Sequence, residues 1–253
     1  MTKKSARDAL KAERERQAAQ ERRRENFARV GIAVVVVLAI VAIAGVVQWQ
    51  RSRIDADAAA PAGVVEGYSK SSGAGTGAAG LGNGVGLGEA DAPVVVEVFE
   101  DFSCPHCQEF ETGAEKMIGQ QVESDKVRVV YYPVTLDNFG RPTELSANAF
   151  ACAADEGRAK EMHNALYSNF RQDWTTDQLV ALGRSVGLDS GSFRSCVREE
   201  KFAEWVQSID QTATDRGVSG TPTVFVDGKP LDPEDTSPTA LRLAITDALA
   251  GKR

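Results

Sequence analysis

The sequence predicts an α/β domain that follows one transmembrane helix and a glycine-rich linker. Valine-rich runs at residues 94–99 and 126–134 predict buried strands, because β-branched side chains pack well in a sheet. Apolar residues recur at helical spacing over about residues 143–216, and a strand signal follows at 223–226. The order of strand, helix, strand, helical insertion, hairpin and helix therefore indicates the α/β class.

Residues 1–29 form a charged tail in this prediction. They carry ten basic and five acidic side chains, a net +5, which leaves −12 for the rest of a chain whose net charge is −7. Because its charges are mixed, we interpret the tail as a solvated cytoplasmic segment rather than a nucleic-acid-binding arm. The net charge of −12 on the rest of the chain is typical of a soluble surface and does not identify a binding partner.

A transmembrane helix is predicted over residues 30–49. Residues 30–47 contain no polar side chain, and 18 residues at 1.5 Å each span roughly 27 Å, about one hydrocarbon core. The basic excess before this run favours a cytoplasmic N-terminus, so we expect a single-pass cell-membrane protein with its catalytic domain outside the cytoplasm. A cleaved signal peptide is the alternative, with small residues at 56–60 as a cleavage site, although its apolar core is usually only ~7–15 residues long.

Residues 50–88 are predicted to be a flexible linker, and residues 89–253 the globular domain. Glycine alternates with small residues along much of the linker, and such a composition buries too little apolar surface to order itself. Within the domain, Asp227-Gly228 predicts the tight turn of a hairpin, since this pair readily adopts positive φ angles. Residues 240–249 show the spacing of a final helix.

The motif that carries chemistry is Cys104-Pro105-His106-Cys107, which follows the first strand. Two cysteines separated by two residues form a reversible disulfide, and a helix N-terminus stabilises the first sulfur as a thiolate. His106 can add a proton and a positive charge. We therefore expect Cys104 to be the exposed, attacking sulfur and Cys107 to be its more shielded resolving partner.

This motif and Gly220-Thr221-Pro222-Thr223, about 115 residues later, together resemble the DsbA-like thiol:disulfide oxidoreductases, membrane-anchored bacterial members in particular. The resemblance covers roughly residues 85–252. It implies a thioredoxin fold with a helical insertion, catalytic roles for Pro105, His106 and a cis Pro222, and substrate pairing through the backbone of Thr221.

The same resemblance implies a dithiol oxidase that donates its Cys104–Cys107 disulfide to reduced exported proteins, and we expect a monomer. A quinone-linked membrane reoxidase of the DsbB or vitamin-K-epoxide-reductase type is the implied partner, and no cofactor is expected. One position departs from the family pattern: Val98 stands where members often have a buried acid, six residues before the first cysteine. Glu100 shares its strand face and is the candidate proton relay, whereas Glu97 should face the other way.

Three other interpretations of the cysteine pair are weaker. A purely structural disulfide in so tight a loop is strained and reducible. Zinc binding lacks a second cysteine or histidine pair, so no metal is expected, and covalent haem attachment would need histidine where Gln108 stands. Cys152 and Cys196 favour a structural disulfide, since the cysteine count is even and disulfides persist outside the cytoplasm. His163 is expected at the surface or in packing.

The sequence is also compatible with two other functions. One is a membrane-tethered thiol reductase, for example in cytochrome maturation, which a low reduction potential would reveal. The other is a non-enzymatic holdase that binds extended peptides near Thr221, and its peptide binding would survive the loss of Cys104. An isomerase is less favoured, because residues 51–90 look too rich in glycine to form a dimerisation domain.

Overall fold

The computed structural model describes residues 59–65 and 81–251. The predicted tail at 1–29, the predicted transmembrane helix at 30–49 and most of the predicted linker lie outside these residues. Within the described ranges, no helix has both the length and the apolar character needed to cross a membrane.

In the described part of the chain the strands are β1 Val64–Val65, β2 Gly84–Leu87, β3 Val94–Glu100, β4 Val127–Pro133, β5 Thr223–Val226 and β6 Lys229–Pro230. These six strands form one mixed sheet in the order β1-β2-β4-β3-β5-β6. β3 and β4 run parallel, and the other neighbouring pairs are antiparallel. The central strands β3 and β4 are buried along almost their whole length, as their valine-rich sequences predict.

Helices connect and cover these strands. α1 Pro105–Glu123 links β3 to β4, and α7 Pro238–Ala250 follows the β5–β6 hairpin. In the turn of that hairpin, Asp227 and Gly228 have φ of 48° and 75°, the positive angles that the Asp-Gly signal predicts. Five helices lie between β4 and β5: α2 Arg141–Asp155, α3 Ala159–Ser168, α4 Thr176–Ser185, α5 Gly191–Glu199 and α6 Ala203–Asp215. They are the helical insertion that was predicted at about residues 143–216.

A disulfide joins two helices of this insertion. Cys152 of α2 and Cys196 of α5 are bonded at 2.01 Å, as the even cysteine count suggested. Both residues are buried, so the bridge lies within the helical layer.

The predicted linker at 50–88 is wrong at two places, residues 64–65 and 84–87, which are strands of the sheet. Gly84–Leu87 forms β2, which pairs with β4, and Val64–Val65 pairs with β2 in turn. A Cβ on Gly84 would lie 2.7 Å from the carbonyl oxygen of Tyr131, and one on Gly86 would lie 2.5 Å from a methyl carbon of Val65. The glycines that suggested a flexible linker are therefore the residues that let neighbouring strands approach closely.

Glu97 is fully buried, unlike an ordinary acidic residue, and its charge is paired. Arg216 donates hydrogen bonds to both of its carboxylate oxygens, at 2.5 and 2.9 Å. The guanidinium also lies over the rings of Phe99, Tyr132 and Phe225. Because a buried carboxylate is costly without a partner, this pair explains how β3 carries an acid inside the core.

Candidate active site at the N-terminus of α1

The two sequence motifs meet because of strand register. β5 runs antiparallel to β3, with Thr223 opposite Phe99. The start of β5 therefore lies beside the end of β3, where the chain enters the cysteine motif. This pairing brings Thr221 and Pro222 next to Cys104.

α1 begins at the cysteine motif. Cys104 is its N-cap residue in an extended conformation, and Pro105 occupies the first helical position. Proline suits this position because its missing N–H would have no partner within the helix. The side chains of Pro105 and His106 are exposed. The backbone N–H groups of His106 and Cys107, which are free at a helix N-terminus, donate to the thiolate of Cys104.

Asp101 holds the loop between β3 and α1. Its carboxylate accepts hydrogen bonds from Ser103 N at 2.7 Å and Leu136 N at 2.9 Å, and its carbonyl accepts one from Cys104 N at 2.9 Å. Its own N–H donates to Cys107 Sγ at 3.4 Å. Burial raises the pKa of Asp101 to about 6. We did not predict a role for Asp101 from the sequence, although its place between a buried strand and the cysteine pair was a signal.

Cys104 and Cys107 carry free thiols in the structure. Cys107 is completely buried, as predicted, but Cys104 is only 4% exposed and is not the exposed sulfur we expected. The loop at Pro222 covers it: Cys104 Sγ donates to the carbonyl oxygen of Thr221 at 3.7 Å. Cys104 is still the more accessible of the two sulfurs.

The pKa values of the two thiols move in opposite directions. The pKa of Cys104 falls from 9.0 to about 5, mainly because the Cys107 thiol donates a hydrogen bond to its thiolate, with further donation from Thr221 and from backbone N–H groups, while burial opposes the fall. Burial raises the pKa of Cys107 well above 9.0, and the thiolate of Cys104 raises it further. At neutral pH the reduced pair therefore holds one thiolate, on Cys104, and one thiol, on Cys107.

The peptide bond between Thr221 and Pro222 is cis, as the resemblance implied. Thr221 Oγ1 is buried and has no hydrogen-bond partner among the described residues, so its hydroxyl is available to a thiolate. The same residue thus presents a carbonyl and a hydroxyl beside the sulfur of Cys104.

Glu100, the predicted proton relay for Cys107, forms a pair with His163. Its Oε1 lies 2.8 Å from Nε2 of His163 in α3, and both side chains are buried. Burial alone would lower the pKa of His163, but the negative charges of Glu100 and then Glu111 raise it to about 9. His163 is thus a buried, charged residue, which the sequence did not reveal, and the relay through Glu100 stays a prediction.

The family comparison agrees with this geometry. A family model described as Thioredoxin matches residues 81–247. The MdbA protein of Actinomyces oris, a thiol-disulfide oxidoreductase of known structure, is 27% identical; the alignment covers 64% of this chain and 87% of that chain with a TM-score of 0.57. The probable disulfide bond formation protein D of Bacillus anthracis is 25% identical over 152 residues, which are 57% of this chain and 70% of the relative.

A longer relative matches through one part only. The Na⁺/H⁺ antiporter NhaA 3 of Salinispora tropica is 29% identical over 139 residues, which are 55% of this chain and 21% of the antiporter. This chain thus spans about a fifth of the length of that relative.

Proposed function

Because this chain belongs to the thioredoxin family, and its domain is of the DsbA-like thiol-disulfide oxidoreductase type, we propose that it donates disulfides to reduced exported proteins outside the cytoplasm. The observation that carries this proposal is the convergence of a thiolate at Cys104, a buried thiol at Cys107 and the cis Pro222 loop. A protein that stabilises the thiolate favours its own reduced form, which makes its disulfide a strong oxidant.

The proposed reaction has two exchange steps. A substrate thiolate attacks Sγ of Cys104 in the oxidised enzyme, a mixed disulfide forms, and Cys107 leaves and takes up a proton. A second substrate thiolate then attacks the substrate sulfur of the mixed disulfide, and Cys104 leaves as a thiolate. The substrate loses two electrons and two protons; the enzyme gains two electrons and keeps one proton on Cys107, and the other proton goes to solvent.

The low pKa of Cys104 acts in the second step, since a stable thiolate leaves quickly. The high pKa of Cys107 acts in the first, because a protonated Cys107 does not attack the mixed disulfide and return it to the starting state. Thr221 binds the substrate in this proposal: an extended peptide pairs with its backbone once Cys104 no longer donates to its carbonyl. Pro105 and His106, exposed beside Cys104, form the rim that the substrate meets.

Membrane tethering is part of the proposal. The apolar run at residues 30–47 and the basic excess before it support one transmembrane helix with the N-terminus in the cytoplasm. The Cys152–Cys196 disulfide supports an extracytoplasmic domain, since such bonds persist in oxidising compartments. A quinone-linked membrane protein would then reoxidise the Cys104–Cys107 pair.

We expect Cys104 in the reduced protein to react with iodoacetamide with a pH midpoint near 5. Its reactivity will persist at neutral pH and fall as the pH drops through the midpoint, because only the thiolate attacks. Thr221→Ala should raise the midpoint by about one pH unit, the effect of one lost hydrogen bond to a charged group. Mass spectrometry of the alkylated protein against pH measures both values.

Thr223→Ala is the matched control, since the Thr223 hydroxyl donates to the carbonyl of Gly220 in the same loop. It should leave the midpoint unchanged. A wild-type midpoint near 9.0, the ordinary cysteine pKa from which Cys104 is shifted, would remove the basis for an oxidising active site.

A further inference from the structure

Three side chains from three different elements converge beside the active-site helix. Glu100 ends β3, Glu111 lies on α1, and His163 lies on α3, and each offers one ligand atom within 4.8 Å of the other two. All three residues are buried, with Glu100 completely inaccessible to solvent. Glu111 follows Cys107 by four residues, so it lies one helical turn further along the same face of α1.

The charges of this cluster favour a cation. Two carboxylates face one imidazole, and Oε2 of Glu100 is buried without a hydrogen-bond partner among the described residues. Since its Oε1 bonds His163, this second oxygen lies at the cluster as well. A divalent ion bound by two carboxylates and a neutral histidine would leave no net charge, which matters in a buried site because an uncompensated charge is costly there.

A cavity of about 290 Å³ gives the cluster room for additional ligands. Glu111, His163 and Tyr167 line it, and polar side chains from Gln108, Thr112 and Asn164 complete much of its wall. A water molecule takes up about 30 Å³ in the liquid, so the cavity has space for several. A site with three protein ligands and water in the fourth position is an arrangement that zinc adopts in proteins.

We propose that Glu100, Glu111 and His163 bind one divalent transition-metal ion, with Zn²⁺ as the representative. An imidazole nitrogen is a poor ligand for Ca²⁺ and Mg²⁺, because those ions prefer all-oxygen sites. Ligands at 2.0–2.2 Å from a tetrahedral ion are roughly 3.4 Å apart. The 2.8 Å between Glu100 Oε1 and His163 Nε2 therefore has to open by about 0.6 Å as the metal replaces the hydrogen between them.

This proposal differs from the sequence prediction of no metal, which considered zinc only at the Cys104–Cys107 pair. No local spacing reveals the site, because its ligands lie 11 and 52 residues apart and meet only through β3, α1 and α3. It is also independent of the proposed function, since metal binding is measured without any disulfide exchange.

The test is a titration of the full-length protein with Zn²⁺ by isothermal calorimetry. The protein is purified without a histidine tag and fully oxidised, so that Cys104 and Cys107 cannot ligate zinc. The chain has two histidines, which provides a matched pair of variants. We expect one Zn²⁺ per chain in the wild type and in His106→Gln, and affinity lower by at least about 100-fold in His163→Gln, the loss of a direct ligand. Ca²⁺ should give no binding at the same concentrations.

X-ray absorption of the zinc-loaded wild type is the second measurement, because His163→Gln alters a buried residue and its folding must not decide the result. We expect nitrogen and oxygen ligands near 2.0–2.2 Å and no sulfur at about 2.3 Å. Absence of stoichiometric binding, equal binding by wild type and His163→Gln, or loss of binding in His106→Gln would each overturn the proposal.

Discussion

Replacing Cys104 with serine will abolish disulfide transfer to a reduced, unfolded protein. Serine provides neither a sulfur for the mixed disulfide nor a thiolate leaving group, so the rate should fall to that of uncatalysed exchange. The measurement is the appearance of disulfides in a cysteine-containing client, followed by mass spectrometry after alkylation. The effect is the largest that we expect from any single change in the chain.

Cys107→Ser provides the matched comparison. Without Cys107 the donated disulfide cannot form, so transfer to a reduced client should also fall to the uncatalysed rate. Given a client that is already oxidised, the Cys104 thiolate should attack the client disulfide, release one client thiolate and form a mixed disulfide that accumulates, since the resolving thiol is gone. If Cys104→Ser instead retained the wild-type effect on client folding, the holdase interpretation would replace the oxidoreductase one.

The second large effect concerns stability. Replacing Cys152 and Cys196 together with alanine should lower the free energy of unfolding by about 4 kcal/mol, because the bridge closes a 44-residue loop in the unfolded chain. Alanine is used instead of serine, because serine would leave two hydroxyl groups buried in the helical layer. Urea unfolding of both proteins, each with Cys104 and Cys107 oxidised, measures the difference.

The Cys104→Ala, Cys107→Ala double variant is its control, since it removes the active-site pair and leaves the α2–α5 bridge intact. It separates the loss of a structural disulfide from the loss of any disulfide. A change below about 1 kcal/mol in the Cys152→Ala, Cys196→Ala variant would mean that the helical layer does not depend on the bridge.

The strands and the active site were largely predictable because their signals are local. Runs of valine predict β3 and β4, and the Asp-Gly pair predicts the turn between β5 and β6. The cysteine motif predicts the start of α1, where proline occupies the first helical position. The proximity of the cysteine motif and Pro222 followed from family resemblance. Its physical reason, the antiparallel register of β5 on β3, appears only in the structure.

Composition misled us at β2. A glycine-rich segment is compatible with a flexible linker and equally with a strand whose neighbours approach closely, and nothing in the sequence separates the two. The contacts of Gly84 and Gly86 decide the question, because side chains there would collide with β4 and β1.

The Glu100, Glu111 and His163 cluster was hidden for another reason. An isolated histidine on a helix is usually a packing or surface residue, and two separated glutamates are ordinary in a chain with 36 acidic side chains. Their meaning depends on which faces of β3, α1 and α3 pack together. The burial of Cys104 was hidden in the same way. The loop that covers it comes from a segment more than 100 residues away, so no local pattern around Cys104 indicates the contact.

The direction of catalysis is tested most directly by the reduction potential of the Cys104–Cys107 pair. The full-length protein is equilibrated with glutathione buffers, and the reduced fraction is measured by mass spectrometry while Cys152 and Cys196 are checked to remain bonded. A disulfide donor requires a potential well above about −180 mV, and that is the result we predict from the thiolate at Cys104. A value near −270 mV would contradict it and make the protein a reductase.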